Sequence, residues 1–368
     1  MTPSELLYRL ALQRVAKIGD ITAKKLIAHC RSAEAVFKEK KERLLKIDGI
    51  GELIANALKN SNFLKEAEAE MKFIEREKLQ VWTFDEPGYP EKLRECIDGP
   101  VLLFAKGNIS FEDCPILSIV GTRHITPYGI DFCEKLIADL TPLNPIIVSG
   151  LAYGVDIQAH KQAIKNNLQT IACLAHGLNQ IYPKAHQKYI ADILENGGLV
   201  TDFWSTSQPE RENFLQRNRI IAGLSEATLV VESAAKGGSL VTADIAGSYG
   251  REVFAVPGRS TDYYSQGCNN LIKSQKAQLI CSAAEIVFWL NWDVNEVKSK
   301  TPIQKQLFLN LNDEEQKLYD FLKSQGQQPI DMIAIGCNMP TYKIASHLLN
   351  MELQGAIRPL PGKVFEVI

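Results

Sequence analysis

No stretch of the 368-residue sequence reaches the ~18 uninterrupted apolar residues that a membrane-spanning helix needs. The first ten residues also lack the basic stretch and apolar core of a secretion signal. These absences lead us to expect a cytoplasmic protein with no membrane association. Neither sign of charge dominates, because 41 Lys and Arg stand against 43 Asp and Glu for a net charge of -2. A wholly basic binder of polyanions is thereby excluded, and any nucleic-acid contact must come from local clustering. The 8 cysteines include no CxxC pair, so in a chain this long they read as reduced, mostly buried thiols. Cys173 and His176 have CxxH spacing, but no second pair accompanies them and no metal site is expected. The strand-to-helix turns contain neither a G-x-G-x-x-G fingerprint nor a Walker lysine, so dinucleotide and nucleoside-triphosphate binding lose support and no cofactor is expected.

The length exceeds what one hydrophobic core fills, so two or three domains are expected. From Leu6 to about Lys78 the apolar residues recur at helical spacing, and a degenerate repeat lies within. Lys17-Ile18-Gly19-Asp20-Ile21 lines up, 32 residues later, with Gly49-Ile50-Gly51-Glu52-Leu53. Both copies resemble a helix-hairpin-helix, in which a glycine turn lets two helices pack closely and turns backbone N–H groups toward a phosphate. Residues 1–78 are thus expected to form a helix-hairpin-helix (SAM-like) domain. Its basic surplus is small, and both DNA contact and a purely structural role stay open.

Near Leu79 the pattern changes to short β-rich runs alternating with helical segments, the mark of a parallel α/β sheet. Strands are expected at 101–104, 116–120, 146–149, 170–174, 199–201, 228–231 and 253–256, in an extended Rossmann-like domain covering 79–292. Residues 293–312 read as a linker. Residues 313–368 read as a winged helix, with an Asp313-capped helix at the start and two strands turned by Pro361-Gly362. The slight acidic excess of this last module fits protein contact at least as well as duplex reading.

Ligand sites in doubly wound sheets lie beyond the carboxyl ends of the strands, so the turns there carry the functional signal. The first, Gly121-Thr122-Arg123, follows a strand and precedes a helix opened by Pro127, a geometry suited to cradling a phosphate with an arginine clamp. The second contains Gly150, Gly154, Asp156 and His160. The last two, at i and i+4, lack a partner nucleophile, so Asp156 is expected simply to hold the histidine. The third carries Tyr182, Pro183 and Lys184. Next comes Asn213-Phe214-Leu215-Gln216-Arg217-Asn218-Arg219, whose arginines are phosphate-competent, although Arg219 could instead pin loops internally. A basic glycine nest, Lys236-Gly237-Gly238-Ser239, follows Glu232.

The ordered series GTR…YG, SGLAYGVD, HGL…YP, FLQRNRIIAGLS, VVES…KGGSLVTA and FAVPG…GCNNLI is similar to the DNA-processing protein A (Smf) family of bacteria, over about residues 115–290. The resemblance implies a non-enzymatic protein that binds and protects incoming single-stranded DNA, forms a homodimer, and loads a RecA-type recombinase during natural transformation and homologous recombination. It implies DNA contacts at Arg123, Lys184, Arg217, Asn218, Arg219 and Lys236. The chain departs from the family at Thr122, where serine is common, at Leu215, where proline is common, and at Lys276, where glycine is common. The loss of proline at Leu215 is expected to loosen the loop before Arg217.

Three readings compete. A single-strand binder would use Gly121, Thr122, Arg123, Lys184, Arg217, Asn218, Arg219, Lys236, Gly237, Gly238 and Ser239 on phosphates, with Phe214 or Tyr182 as a stacking face. A Rossmann-like nucleotide-cleaving enzyme would need a catalytic acid beside the glycine nest, a position that Glu232 only precedes. A nicotinamide dehydrogenase lacks its fingerprint.

Overall fold

The computed structural model describes residues 1–59, 62–112, 114–292, 311–353, 356–360 and 364–367. Most of the expected linker, 293–310, and the Pro361-Gly362 turn lie outside them. The chain divides into two compact units, 1–297 and 298–368. No described helix is long and apolar enough to cross a membrane.

The first unit is built on a nine-stranded sheet: β1 (Gln80–Thr83), β2 (Leu102–Gly107), β3 (Ile116–Val120), β4 (Ile146–Ser149), β5 (Thr170–Cys173), β6 (Gly197–Thr201), β7 (Ala227–Val230), β8 (Glu252–Ala255) and β9 (Gln278–Leu279). Their order is β1-β2-β6-β5-β4-β3-β7-β8-β9. From β6 to β9 every neighbouring pair is parallel, whereas β2 runs antiparallel to both β1 and β6. Strands β3, β4, β5 and β7 are buried at every position, as strands covered by helices on both faces must be. This is why they stood out in sequence as short continuous apolar runs. Edge strands β1 and β9 were not expected; β1 is four residues of mixed burial and β9 only two exposed ones, so neither carries an apolar run.

One apolar layer on the sheet gathers Val120, Val148, Ile171, Ile220 and Ile221, and the other gathers Ile119, Ile147, Val155, Leu229 and Phe254. The N-terminal helices bury a third core around Leu10, Leu26 and Leu44, which continues into Val101, Leu102, Phe104 and Trp204 of the sheet region. The hairpin repeat is real in the backbone. Lys17 adopts φ 66 and Gly49 φ 85, the same left-handed conformation, and Gly19 and Gly51 each cap the following helix. The first hairpin is turned inward, because Asp20 accepts hydrogen bonds from the Val101 amide at 2.8 Å and from Arg219 at 2.8 Å.

In the second unit helices Asp313–Gln325, Ile330–Cys337 and Thr341–Leu353 pack against a three-stranded sheet of β10 (Gln328–Pro329), β11 (Ile357–Leu360) and β12 (Val364–Val367). Its core includes Leu318, Leu322, Ile333, Ile344 and Leu348. Asn312, not Asp313, caps the first helix. Its side chain accepts from the Glu315 amide while the Glu315 carboxylate accepts from the Asn312 amide, a reciprocal capping box.

Candidate nucleic-acid interface

Strand β3 lies between β4 and β7, so the chain's winding direction reverses at β3/β7 and a crevice opens beyond their carboxyl ends. The loop leaving β3 is held from two sides. The Thr122 amide donates to the Glu232 carbonyl at 2.7 Å, and the Val155 amide donates to the Thr122 carbonyl at 3.1 Å. That closeness needs Gly154, whose φ is +77 and where a Cβ would stand 2.1 Å from the Thr122 oxygen. Arg123 is therefore presented at the crevice mouth by a fixed backbone.

Across the crevice, β7 leads through Ser233 and Lys236 into the helix Gly238–Ser248. Its cap residue is Gly237, whose carbonyl takes the Leu240 amide at 3.2 Å but which has no side chain to cap the Gly238 and Ser239 amides, so the helix start presents N–H donors with a partial positive charge. Ser239 Oγ bonds Ser233 Oγ at 3.1 Å, and Asn218 Nδ2 donates to the Gly238 carbonyl at 3.3 Å, fixing the turn.

The floor comes from the helix Arg211–Leu224, which lays Phe214, Arg217, Asn218 and Ile221 along one face at helical spacing. The resulting cleft has a volume of about 620 Å³, and Arg123, Arg211, Arg217 and Lys236 line it. Arg217 is buried, and its Nη1 donates to the Gly150 carbonyl at 2.7 Å and the Cys173 carbonyl at 2.6 Å, while Nε reaches Asn218 Oδ1 at 3.3 Å. Burial lowers its pKa, and the nearby Asp156 opposes that. Burial likewise raises the Asp156 carboxyl against the attraction of Arg217. The Phe214 ring lies 5.4 Å from the Arg123 guanidinium and 5.9 Å from that of Arg217, and Tyr182 meets its edge at 5.9 Å. An aromatic face thus sits among cations, a combination suited to an anionic chain that carries flat bases.

Ten of the expected residues meet here: Gly121, Thr122, Arg123, Phe214, Arg217, Asn218, Lys236, Gly237, Gly238 and Ser239 all line the cleft. Lys184 does not; it is exposed at the start of the short helix Lys184–Tyr189, two residues beyond Tyr182. Arg219 is corrected to a structural role. It points to the opposite side of its helix, where Nη2 binds Asp20 at 2.8 Å and Asp202 at 2.5 Å and Nη1 binds the Asp98 carbonyl. Burial lowers its pKa, but Asp202 and Asp20 more than offset that and hold the guanidinium above its ordinary value.

Asp156 does not hold His160. The His160 ring is fully buried and pairs with Thr170 Oγ1 at 2.7 Å, and burial pushes its pKa down to about 3. Leu215 lies inside a helix, so the absence of proline there loosens no loop. Glu232 is turned away from the cleft toward the start of the helix Pro127–Leu140, accepting from the Thr126 amide at 2.9 Å and the Thr126 hydroxyl at 2.5 Å. Sequence reasoning passed over Arg211, although it precedes Phe214 by three residues and so shares its helical face.

Comparison with known proteins places this geometry. Residues 80–291 match the family described as DNA recombination-mediator protein A, and residues 305–363 match the DprA winged helix domain. The chain is similar to Protein Smf of Escherichia coli, 36% identical over 307 residues, covering 81% of this chain and 80% of that one. It is also similar to the DNA processing protein DprA of Streptococcus pneumoniae, 40% identical over 200 residues, covering 54% of this chain and 70% of that one. The X-ray structure of Streptococcus pneumoniae DprA superposes with a TM-score of 0.65 at 30% identity, covering 78% of this chain and 98% of that one. DNA processing protein A of Helicobacter pylori, studied for its single-stranded DNA binding mode, superposes with a TM-score of 0.52 at 30% identity, covering 58% of this chain and 97% of that one.

Proposed function

This chain belongs to the DNA recombination-mediator protein A family, and from that premise we propose that its switch-point cleft binds single-stranded DNA. The observation that carries the reading is the cleft lining, in which Arg123, Arg211, Arg217 and Lys236 surround Phe214 and the open helix start at Gly238. Backbone amides and guanidinium groups take phosphates, and the aromatic face takes a base whatever its sequence. Lys184, exposed two residues beyond Tyr182, adds a further phosphate contact outside the cleft in this reading. The protein acts in the cytoplasm as a homodimer, protects incoming single strands, and loads a RecA-type recombinase onto them during natural transformation and homologous recombination.

The reading contains no catalytic step. Glu232, which a nucleotide-cleaving relative would need as an acid, is engaged with Thr126 and does not line the cleft. A gel shift with single-stranded and duplex oligonucleotides of equal length tests the binding claim, and preference for the duplex overturns it. On a log-log plot the affinity should fall with salt with a slope of about -3 if each of the four cleft cations neutralises one phosphate. Loading is tested by adding the protein to a RecA-type recombinase on strands coated with a single-strand binding protein; faster filament formation is the expected result. Hydrolysis of ATP, NAD or nucleoside monophosphates that Glu232→Gln abolishes would favour the enzyme reading.

A further inference from the structure

On the outer side of the Arg123 loop lies a second, shallower depression of about 500 Å³, lined by Arg123, His124, Ile125, Tyr153 and Gly154. Arg123 is the one residue it shares with the cleft. Tyr153 is 49% exposed, a large aromatic face that no packing requirement explains. The ring is nonetheless braced. His186 meets it at 4.9 Å with the two planes at 70°, and His186 is itself buried and bonded through Nδ1 to the Leu151 carbonyl at 2.8 Å. On the other wall His124 is exposed and stacks on Tyr264 at 6.1 Å. The backbone beneath is fixed by the same Gly154 and Thr122 contact that fixes Arg123.

A preset aromatic face beside an arginine that also borders a strand-binding cleft has the chemistry of a nucleotide subsite. We propose that the depression seats a second nucleotide of the bound strand, its base stacked on Tyr153 and the phosphate that joins it to the cleft-bound nucleotide held by Arg123. The proposal rests on the cleft being the single-strand site. It makes Arg123 the pivot between two nucleotides and gives the strand a defined exit past Tyr153. Because the base is held by its face alone, this subsite tolerates every base.

The test uses the full chain and a labelled 20-nucleotide oligothymidine, with binding read by fluorescence anisotropy at one salt concentration. Tyr153→Ala should weaken binding about tenfold, while Tyr153→Phe, which keeps the ring, should stay within about twofold of the wild type. An oligonucleotide carrying 5-iodouracil, irradiated in the complex, should crosslink to Tyr153, as located by mass spectrometry of the peptides. Circular dichroism verifies that the alanine variant is folded, as expected for a half-exposed side chain. Alanine binding equal to wild type, or phenylalanine binding as weak as alanine, overturns the subsite. If wild-type protein binds no single strand, the cleft reading itself fails; if wild type binds and Arg123→Ala weakens it while Tyr153→Ala does not, only the subsite fails.

Discussion

Arg219→Ala should destabilise the protein strongly and leave strand binding intact. The Arg219 side chain is 9% exposed and Asp202 is 4% exposed, and the pair is completed by Asp20 from the N-terminal hairpin. Truncating the arginine leaves a buried carboxylate without its cation, a change that costs about 3–5 kcal/mol in comparable pairs. The loss has a pH signature. Burial already raises the Asp202 carboxyl above its ordinary range, and Arg219 is the first of the groups that oppose the rise. Without the arginine the carboxyl rises further, so the folded variant takes up a proton that the unfolded chain does not. Its stability therefore falls as pH rises through that window, and the deficit against wild type should be largest near pH 8 and smaller near pH 5. Urea titration of wild type and variant at both pH values, followed by tryptophan fluorescence, measures the difference. Adding Asp202→Asn to the variant should recover part of it by removing the stranded charge. A deficit below about 1 kcal/mol at pH 8 would refute the buried-pair argument, since pairs worth so little are exposed ones. A folded variant that binds oligothymidine as poorly as Arg123→Ala would return Arg219 to the DNA interface.

Arg123→Ala should weaken binding of single strands of any sequence by about tenfold, and Lys184→Ala by about twofold because it lies outside the cleft; anisotropy with oligonucleotides of mixed composition compares them. Gly154→Ala should cost at least about 1–3 kcal/mol in a urea titration and lower strand affinity, since its Cβ would overlap the Thr122 carbonyl at a positive φ. His160 is neutral when folded, with its pKa down to about 3, so its contribution is complete above the unfolded value of about 6.5 and drains away as pH falls. Between pH 6.5 and 5 this should remove about 2 kcal/mol of stability, and His160→Leu should flatten that slope. Deleting residues 298–368, a compact unit of its own, should change oligothymidine affinity less than twofold.

The sheet was legible because burial on both faces writes a strand as a run of apolar residues. Ile116–Val120 and Ile146–Ser149 needed no partner information to be located. The turns were legible for a related reason: Gly121 and Gly154 sit beyond the carboxyl ends of those strands where the backbones of neighbouring loops come close, the Glu232 carbonyl at the first and the Thr122 carbonyl at the second. The two faces of a helix were less so. Arg217 and Arg219 are two residues apart, about 200° around a helix, so a shared cleft was geometrically closed to them once Arg211–Leu224 was taken as a helix. Arg211 and Phe214 are three residues apart, about 300° and so within about 60° of one face, which makes Arg211 the residue that helical periodicity could have supplied.

What stayed hidden depends on pairs far apart in the chain. Nothing near Glu232 announces that its carboxylate is spent on Thr126, 106 positions earlier, and nothing near His160 names Thr170 as its partner. The helical repeat is the sharpest case. In sequence the two hairpin copies differ in one glycine, Lys17 standing where the second has Gly49, yet both turns adopt the same left-handed conformation. Their difference is in occupancy. Asp20, the first residue of the helix after the first hairpin, already fills that helix start with a carboxylate held by the Val101 amide and Arg219, 199 positions away. A phosphate approaching there would meet a negative charge and displace a buried ion pair, so the first copy works as a joint between the N-terminal helices and the sheet. The second copy carries the equivalent carboxylate, Glu52, but there it is exposed and bridged to Lys41 at 2.9 Å instead of buried against the sheet, so a hairpin contact with DNA would fall to the second copy, at Gly49–Gly51.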